Sequence, residues 1–196
     1  MKTLVIAARA TLVTLVVTGI LYPLVVTGLA QLLFPYRAGG SIVTVQGREV
    51  GSELIGQGFT TPPYVHSRPS ASGYDAANSS GTNLSVTSKK LRDGALDAAN
   101  AYRAENGLAD GVEIPVDAVA RSASGIDPHI SPENARLQVA RIAKARGVAE
   151  DRVRAIVDEY IETPWLGVIG EPRVDVLMLD LALDRTFGAP AHVTAR

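Results

Sequence analysis

Ser124, Asp127 and His129 are the residue types of a hydrolytic triad, gathered in the stretch SGIDPHISP from Ser124 to Pro132. Such a serine needs a histidine within hydrogen-bond reach, a carboxylate to orient that histidine, and amide donors for an oxyanion. It also needs an exposed strand-to-helix turn, and no G-x-S-x-G surrounds Ser124. The same stretch reads as the entry to a helix. Asp127 before Pro128 is a turn signal, and Gly125 permits unusual backbone angles. Ser131 is an N-cap type, and Pro132 suits the first helical position. Helix entry accounts for more of these residues than catalysis does, so no catalytic residue is expected.

Metal and anion chemistry have less to work with. The chain has no cysteine, and His66, His129 and His192 are far apart and lack the paired spacing of a zinc site. No metal site is expected. YDAANSSGTN, Tyr74 to Asn83, could offer backbone amides to an anion, but it lacks the lysine and spacing of a phosphate-binding loop. Gly170-Glu171-Pro172-Arg173 reads as a turn with an internal ion pair. A sequence pI near 6.3, with acids and bases interspersed, gives no field for nucleic acid.

These residues depend on elements that the sequence also marks. Residues 10–34 carry no charge and, as a helix rising about 1.5 Å per residue, can cross a hydrocarbon core about 30 Å thick. A cleaved signal peptide would share the basic Lys2 and Arg9 and the small-x-small Gly28-Leu29-Ala30. The apolar run continuing through Leu32, Leu33 and Phe34 favours an uncleaved anchor, because signal h-regions span about 7 to 15 residues. Lys2 and Arg9 before the span, against Arg37 alone just after it, place residues 1–9 in the cytoplasm and the rest outside. Pro23 would leave a carbonyl unsatisfied in lipid. With Tyr22 beside it, and Thr14, Thr18 and Gly28 as small or hydroxyl residues, this face suits contact with another helix rather than membrane lipid.

Residues 37–196 are expected to form one α+β domain. They carry seventeen bases against twenty acids, a formal charge of -3. SIVTVQGREV, Ser41 to Val50, alternates around Gln46-Gly47 as a short hairpin. A loop rich in Gly, Pro, Ser and Asn follows, from Gly51 to Asn83. A helix is expected over Val86 to Asn106, with Leu91, Ala95, Leu96, Ala98, Ala99 and Tyr102 as its apolar stripe and Gly107 as its stop. Val112 to Val119 is expected as a strand. Helices follow over Pro132 to Arg146 and Glu150 to Glu162, then a core strand over Arg173 to Leu179.

Five phrases stand in a fixed order: GSELIGQGF from Gly51, YVHSRPSA from Tyr64, SSGTNL from Ser79, SGIDPHISP from Ser124 and GEPRVDVLMLDLAL from Gly170. In that order they resemble the C subunit of the Kdp potassium-transporting ATPase, and the resemblance covers nearly the whole chain, including the single span. It implies a four-subunit complex of the bacterial inner membrane. In that complex a channel-like subunit takes up potassium, a P-type ATPase subunit hydrolyses ATP with Mg, and a small single-span subunit and this one assist. It implies no enzyme activity and no bound cofactor for this chain alone. Two departures stand out: SSGTNLSVTS replaces the family's usual SGGSNLGPTN, and Ala120-Arg121 stands where a Thr-Ala pair is common.

The resemblance leaves two roles open. As a catalytic chaperone raising the ATP affinity of the pump subunit, the chain would bring Ser80, Gly81, Thr82 and Asn83 near nucleotide. The expected topology puts those residues outside, where no ATP is available. As an assembly or gating component, the chain would instead stabilise the complex or cap the potassium entrance. Its platform would include Arg68, Gly125, Asp127, Pro128, His129, Glu171 and Arg173, with Asp127 orienting the turn, His129 hydrogen-bonded within it and Arg173 paired to a carboxylate. An anchored hydrolase using Ser124 is the third possibility.

Overall fold

The uncharged apolar run over residues 10–34 suits a helix, which pairs its backbone groups within itself, and the chain starts as one. The computed structural model describes residues 1–190. Helix α1 (Lys2–Val16), a π-helical turn (Val17–Leu21) and α2 (Tyr22–Leu33) follow without a break, 32 residues long and apolar enough to cross a membrane. The helix therefore begins well before Ala10 and takes Lys2 and Arg9 into its first turns. None of its residues is buried within the chain.

The π turn lies directly before Pro23, where a regular ladder would press the proline ring against the Gly19 carbonyl. Tyr22 N–H reaches back to the Val17 carbonyl, so the ladder widens there instead of breaking. The Thr18 hydroxyl donates to the Thr14 carbonyl at 2.7 Å, which satisfies it inside its own helix. After the short α3 (Pro35–Ala38) comes the expected hairpin, β1 (Ile42–Val45) and β2 (Arg48–Ser52). Gln46 at φ 51 and Gly47 at φ 78 supply the two left-handed residues that a tight hairpin turn requires.

Contacts divide the chain into Met1–Val50 and a second unit from Gly51 onward. The second unit is built on a small antiparallel sheet of β3 (His129–Ile130), β5 (Arg173–Asp175) and β4 (Ile161–Glu162), with β5 in the middle. His129 pairs with Asp175, Ile130 and Ile161 both pair with Val174, and Glu162 pairs with Arg173. The remaining helices are α4 (Lys89–Asn106), α5 (Val116–Val119), α6 (Pro132–Leu137), α7 (Val139–Arg146), α8 (Glu150–Glu159) and α9 (Val176–Phe187). Ile142, Val153, Val157, Val174, Leu179 and Leu183 centre a core closed to solvent. This is the expected α+β class.

Several boundaries differ from the sequence-based expectation, each for a local reason. Helix α4 starts at Lys89 rather than Val86, because the Ser88 hydroxyl accepts from Leu91 N–H. Tyr102 on its stripe is buried, but Leu96 is 58% exposed. Val112–Val119 is not a strand: Pro115 enters the one-turn α5, with Asp117 in its first turn. The expected helix over 132–146 divides at Gln138, and the one over 150–162 stops at Glu159 so that Ile161 can join the sheet. Arg173–Leu179 is a strand for three residues only. Asp175 then caps α9, its carboxylate accepting from Met178 N–H at 2.9 Å.

Candidate functional site

The long loop after Gly51 is ordered because side chains do the work that a neighbouring strand would otherwise do. Pro62 and Pro63 have no N–H, and the segment through His66 runs into the core, where Val65 is fully buried. Buried backbone groups need partners, and here they come from Gln138 just before α7, from α7 and from α9. Val65 N–H donates to Asp180 Oδ1 at 2.8 Å. His66 is held at both its backbone groups by the Gln138 amide, with His66 N–H to Oε1 at 2.8 Å and Nε2 to the His66 carbonyl at 3.1 Å. Arg141 Nη1 donates to the carbonyls of Pro62 and Tyr64 at 2.6 and 2.9 Å, and Arg146 Nε to that of Pro63 at 2.7 Å.

Charge and aromatic contacts close the strap. Arg146 Nη2 meets Asp184 Oδ1 at 2.8 Å and its guanidinium lies 5.1 Å from the centre of the Tyr64 ring. The Tyr64 hydroxyl donates to Asp184 Oδ2 at 2.9 Å. Burial, reinforced by Asp184, pushes the Tyr64 hydroxyl up to about 12. Gln138 divides α6 from α7 at the point where its side chain is wholly buried in this strap.

The strap leads into a second cluster that joins all five of the marked phrases. The Arg68 guanidinium meets Asp127 Oδ2 at 2.7 Å, while Asp127 Oδ1 accepts from His129 N–H at 3.0 Å. Ser70 donates to the Gly125 carbonyl at 2.6 Å, and Gly56 N–H to the Ile126 carbonyl at 2.7 Å. The Pro128 carbonyl accepts from Val176 N–H at 3.0 Å, tying the turn to α9. Ser79 Oγ reaches the Ser124 carbonyl at 2.9 Å, and a Cβ placed on Gly81 would stand 2.8 Å from the Ala123 carbonyl. The serine-glycine run thus rests against the 122–125 turn, with Ser80, Thr82 and Asn83 exposed and Asn83 at φ 51.

These distances describe a braced turn. The Ser124 hydroxyl accepts from Ile126 N–H at 3.2 Å, and His129 Nδ1 lies 3.8 Å from Asp127 Oδ1; among the described residues no hydrogen bond joins Ser124 to His129. Asp127 orients the turn, as its sequence position suggests. Glu171 and Arg173 do not form the expected internal pair. Arg173 Nε instead meets Glu162 Oε2 at 2.8 Å, because the sheet register sets Glu162 opposite Arg173. His192 lies outside the described residues, which contain no cluster of three or more acids and imidazoles able to hold a metal.

A cleft of about 350 Å³ opens beside the strap, lined in part by Phe59, His66, Pro69, Ala98, Tyr102 and Glu105. His66 Nδ1 meets Glu105 Oε1 at 2.8 Å at its edge. Burial, then the Arg141 charge, pushes the His66 pKa down.

Comparison with known proteins places this architecture. A family model described as KdpC, the K+-transporting ATPase c chain, matches residues 4–185. The chain belongs to the KdpC family. A protein of Myxococcus xanthus called the potassium-transporting ATPase KdpC subunit is 57% identical over 190 residues, covering 95% of this chain and 90% of that one. A protein of the same name from Koribacter versatilis is 48% identical across 96% of this chain and 97% of its own length. One from Caldanaerobacter subterraneus is 50% identical over 175 residues, 89% and 91% of the two chains.

What the sequence did not reveal in this KdpC family member is the strap's polar underside: Gln138, Arg141, Arg146, Asp180 and Asp184. One signal was present. Asp180 interrupts the apolar run VLMLDLAL on the helix face that also carries Val176 and Leu183, and a charge there needs a partner. Asp180 is 2% exposed, and its Oδ2 has no hydrogen-bond partner among the described residues.

Burial pushes the Asp180 carboxyl well above its ordinary 3.8, outweighing the Val65 N–H bond and the Arg146 charge. The folded state therefore holds this proton more tightly than the unfolded chain. Stability falls as pH rises from the unfolded value of 3.8 through the raised folded one. Asp180→Asn keeps an acceptor for Val65 and removes the ionisation. In chemical unfolding across that window, the variant is expected to gain on the parent as pH rises. A difference that stays constant with pH would show that Asp180 ionises alike in both states.

Proposed function

We propose that this chain is an accessory subunit that stabilises a high-affinity, ATP-driven potassium uptake complex. Its domain from Gly51 onward stands on the outer side of a bacterial inner membrane, anchored by the amino-terminal helix. The braced loops form a rigid platform for the channel-like potassium-binding subunit and the P-type ATPase subunit, and can cap the potassium entrance; the small single-span subunit completes the assembly. ATP and Mg belong to the ATPase subunit, and potassium is the transported ion.

The observation that carries this reading is the bracing itself. Ser70, Ser72 and Asp127 hold loop backbone, Arg68 pairs with Asp127, and Arg141 holds the Pro62 carbonyl, which yields a preformed surface of the kind that binds partners with little ordering cost. Lys2 and Arg9 before the span support the orientation.

A second reading, in which Ser80 to Asn83 raise the ATP affinity of the pump subunit, draws support from the exposure of Ser80, Thr82 and Asn83. The two readings separate in one comparison on the purified complex. If the chain acts in assembly, Asp127→Ala lowers complex yield, while Thr82→Ala with Asn83→Ala leaves the ATP concentration for half-maximal activity unchanged. A raised ATP requirement in the second variant, at normal yield, would overturn the assembly reading in favour of the nucleotide one.

A further inference from the structure

Between β4 and β5 the chain runs Thr163 to Gly170, TPWLGVIG, eight residues without a charge. They form a tight hairpin. Trp165 N–H donates to the Ile169 carbonyl at 2.9 Å and Ile169 N–H to that of Trp165 at 3.0 Å, while Gly167 N–H donates to the Pro164 carbonyl at 2.9 Å. Leu166 at φ 52 and Gly167 at φ 74 turn the tip, and a left-handed conformation is costly for leucine. The chain's single tryptophan and its three neighbours project into solvent: Trp165 is 68% exposed, Leu166 74%, Val168 80% and Ile169 57%. No other described segment outside residues 1–50 exposes four large apolar side chains so close together.

Such a tip, stiffened by its own hydrogen bonds, is built for burial elsewhere. Its surroundings decide what covers it. Glu162 and Glu171 flank the hairpin, and Arg173 is taken by Glu162, which leaves Glu171 without an ion pair among the described residues. The net negative charge left at this collar, that of Glu171, disfavours an anionic lipid surface. A second copy of this chain would set one collar against another. An apolar pocket with a basic rim complements the tip in both shape and charge.

We propose that Trp165, Leu166, Val168 and Ile169 are a docking knob that seats in an apolar, basic-rimmed pocket on another subunit of the transport complex. This rests on the reading of the chain as an assembly subunit. Aromatic anchors filling a pocket carry a large share of the binding energy in protein interfaces, and the only tryptophan in this chain stands at the tip.

The absence of cysteine makes the test direct. Val168→Cys is placed in the full chain, and its maleimide reactivity is measured in three settings: the chain alone in detergent, the chain alone in vesicles of phosphatidylethanolamine and phosphatidylglycerol, and the purified complex. Protection in the complex only is the expected result. A cysteine that stays reactive in an intact complex overturns the knob but leaves the assembly role standing. Protection in vesicles alone would assign the tip to lipid, and protection that grows with concentration of the chain alone would assign it to a second copy; each contradicts the proposal. Trp165→Ser with Leu166→Ser should lower recovery of the chain with its partners by about tenfold or more, the loss expected for one anchor contact. Leu96→Ser, at a leucine on α4 that is 58% exposed, should not.

Discussion

Arg146→Ala is expected to destabilise the domain from Gly51 onward by about 3 kcal/mol, the lower end of the loss when one member of a buried ion pair is removed, because the Asp184 side chain is 23% exposed. Its side chain is 2% exposed, and it joins the Pro63 carbonyl, the Gly188 carbonyl, Asp184 and the Tyr64 ring. Deletion leaves Asp184 with only the Tyr64 hydroxyl and strips the Pro63 carbonyl of its donor. Arg146→Met separates the two contributions, because it keeps the aliphatic stem against Tyr64 but supplies no donors. Denaturant unfolding of the full chain in mild detergent gives the magnitude. Hydrogen exchange at the Val65 and His66 amides locates it, since both sit in the strap. A loss of about 1 kcal/mol or less, the scale of an exposed pair, would mean that apolar packing alone holds the strap.

Gly125→Ala is the second large effect. Gly125 has φ 72, and a Cβ there would meet Ser72 Oγ and the Ser80 carbonyl, the latter at 2.7 Å. The left-handed conformation costs a non-glycine residue about 1 to 2 kcal/mol, and overfilling a packed site adds about 1 to 3. The serine can rotate away, but the Ser80 carbonyl belongs to the backbone. The serine-glycine run must therefore move off the 122–125 turn, taking with it the bond from Ser79 to the Ser124 carbonyl. Beyond lower stability, the variant should show raised protease sensitivity at residues 79–83. Gly147→Ala is the matched control: φ is 66, but nothing lies within 4 Å of its Cβ position, so only the conformational cost applies. Equal losses in the two variants would mean that the packing of the run on the turn contributes nothing.

Much of the frame was legible because its signals are local. Gln46-Gly47 between alternating residues announced the hairpin, Ser131-Pro132 announced α6, and Gly107 and Gly147 announced the ends of α4 and α7 at φ 64 and 66. The misread elements are those decided at long range. VDVLMLDLAL is apolar nearly throughout, so its period does not separate strand from helix; Asp175 as a cap does. Gln138 interrupts a helix that the sequence allows to continue, because its amide serves His66, 72 residues away. The pairing of Arg173 with Glu162 follows from strand register, which no spacing within Gly170–Arg173 reveals.

The candidate site shows the same division. Asp127 and Gly125 stood out as turn residues and are turn residues, whereas their partners Arg68 and Ser70 lie more than fifty positions away. The meeting of SSGTNL with SGIDPHISP is invisible in either phrase alone. It places the family's serine-glycine run on the same braced surface as the turn proposed to face partner subunits.

That proposal stands or falls on which side of the membrane the surface lies. Ala109 is exposed just after α4, in a chain with no native cysteine, so Ala109→Cys gives one reporter thiol. Intact cells assembling the complex are treated with a membrane-impermeant maleimide, then lysed and treated again with a second label. Labelling before lysis is the predicted result, and it would keep Ser80 to Asn83 away from cytoplasmic ATP. Labelling only after lysis, in a correctly assembled complex, would contradict the account and return the serine-glycine run to the nucleotide.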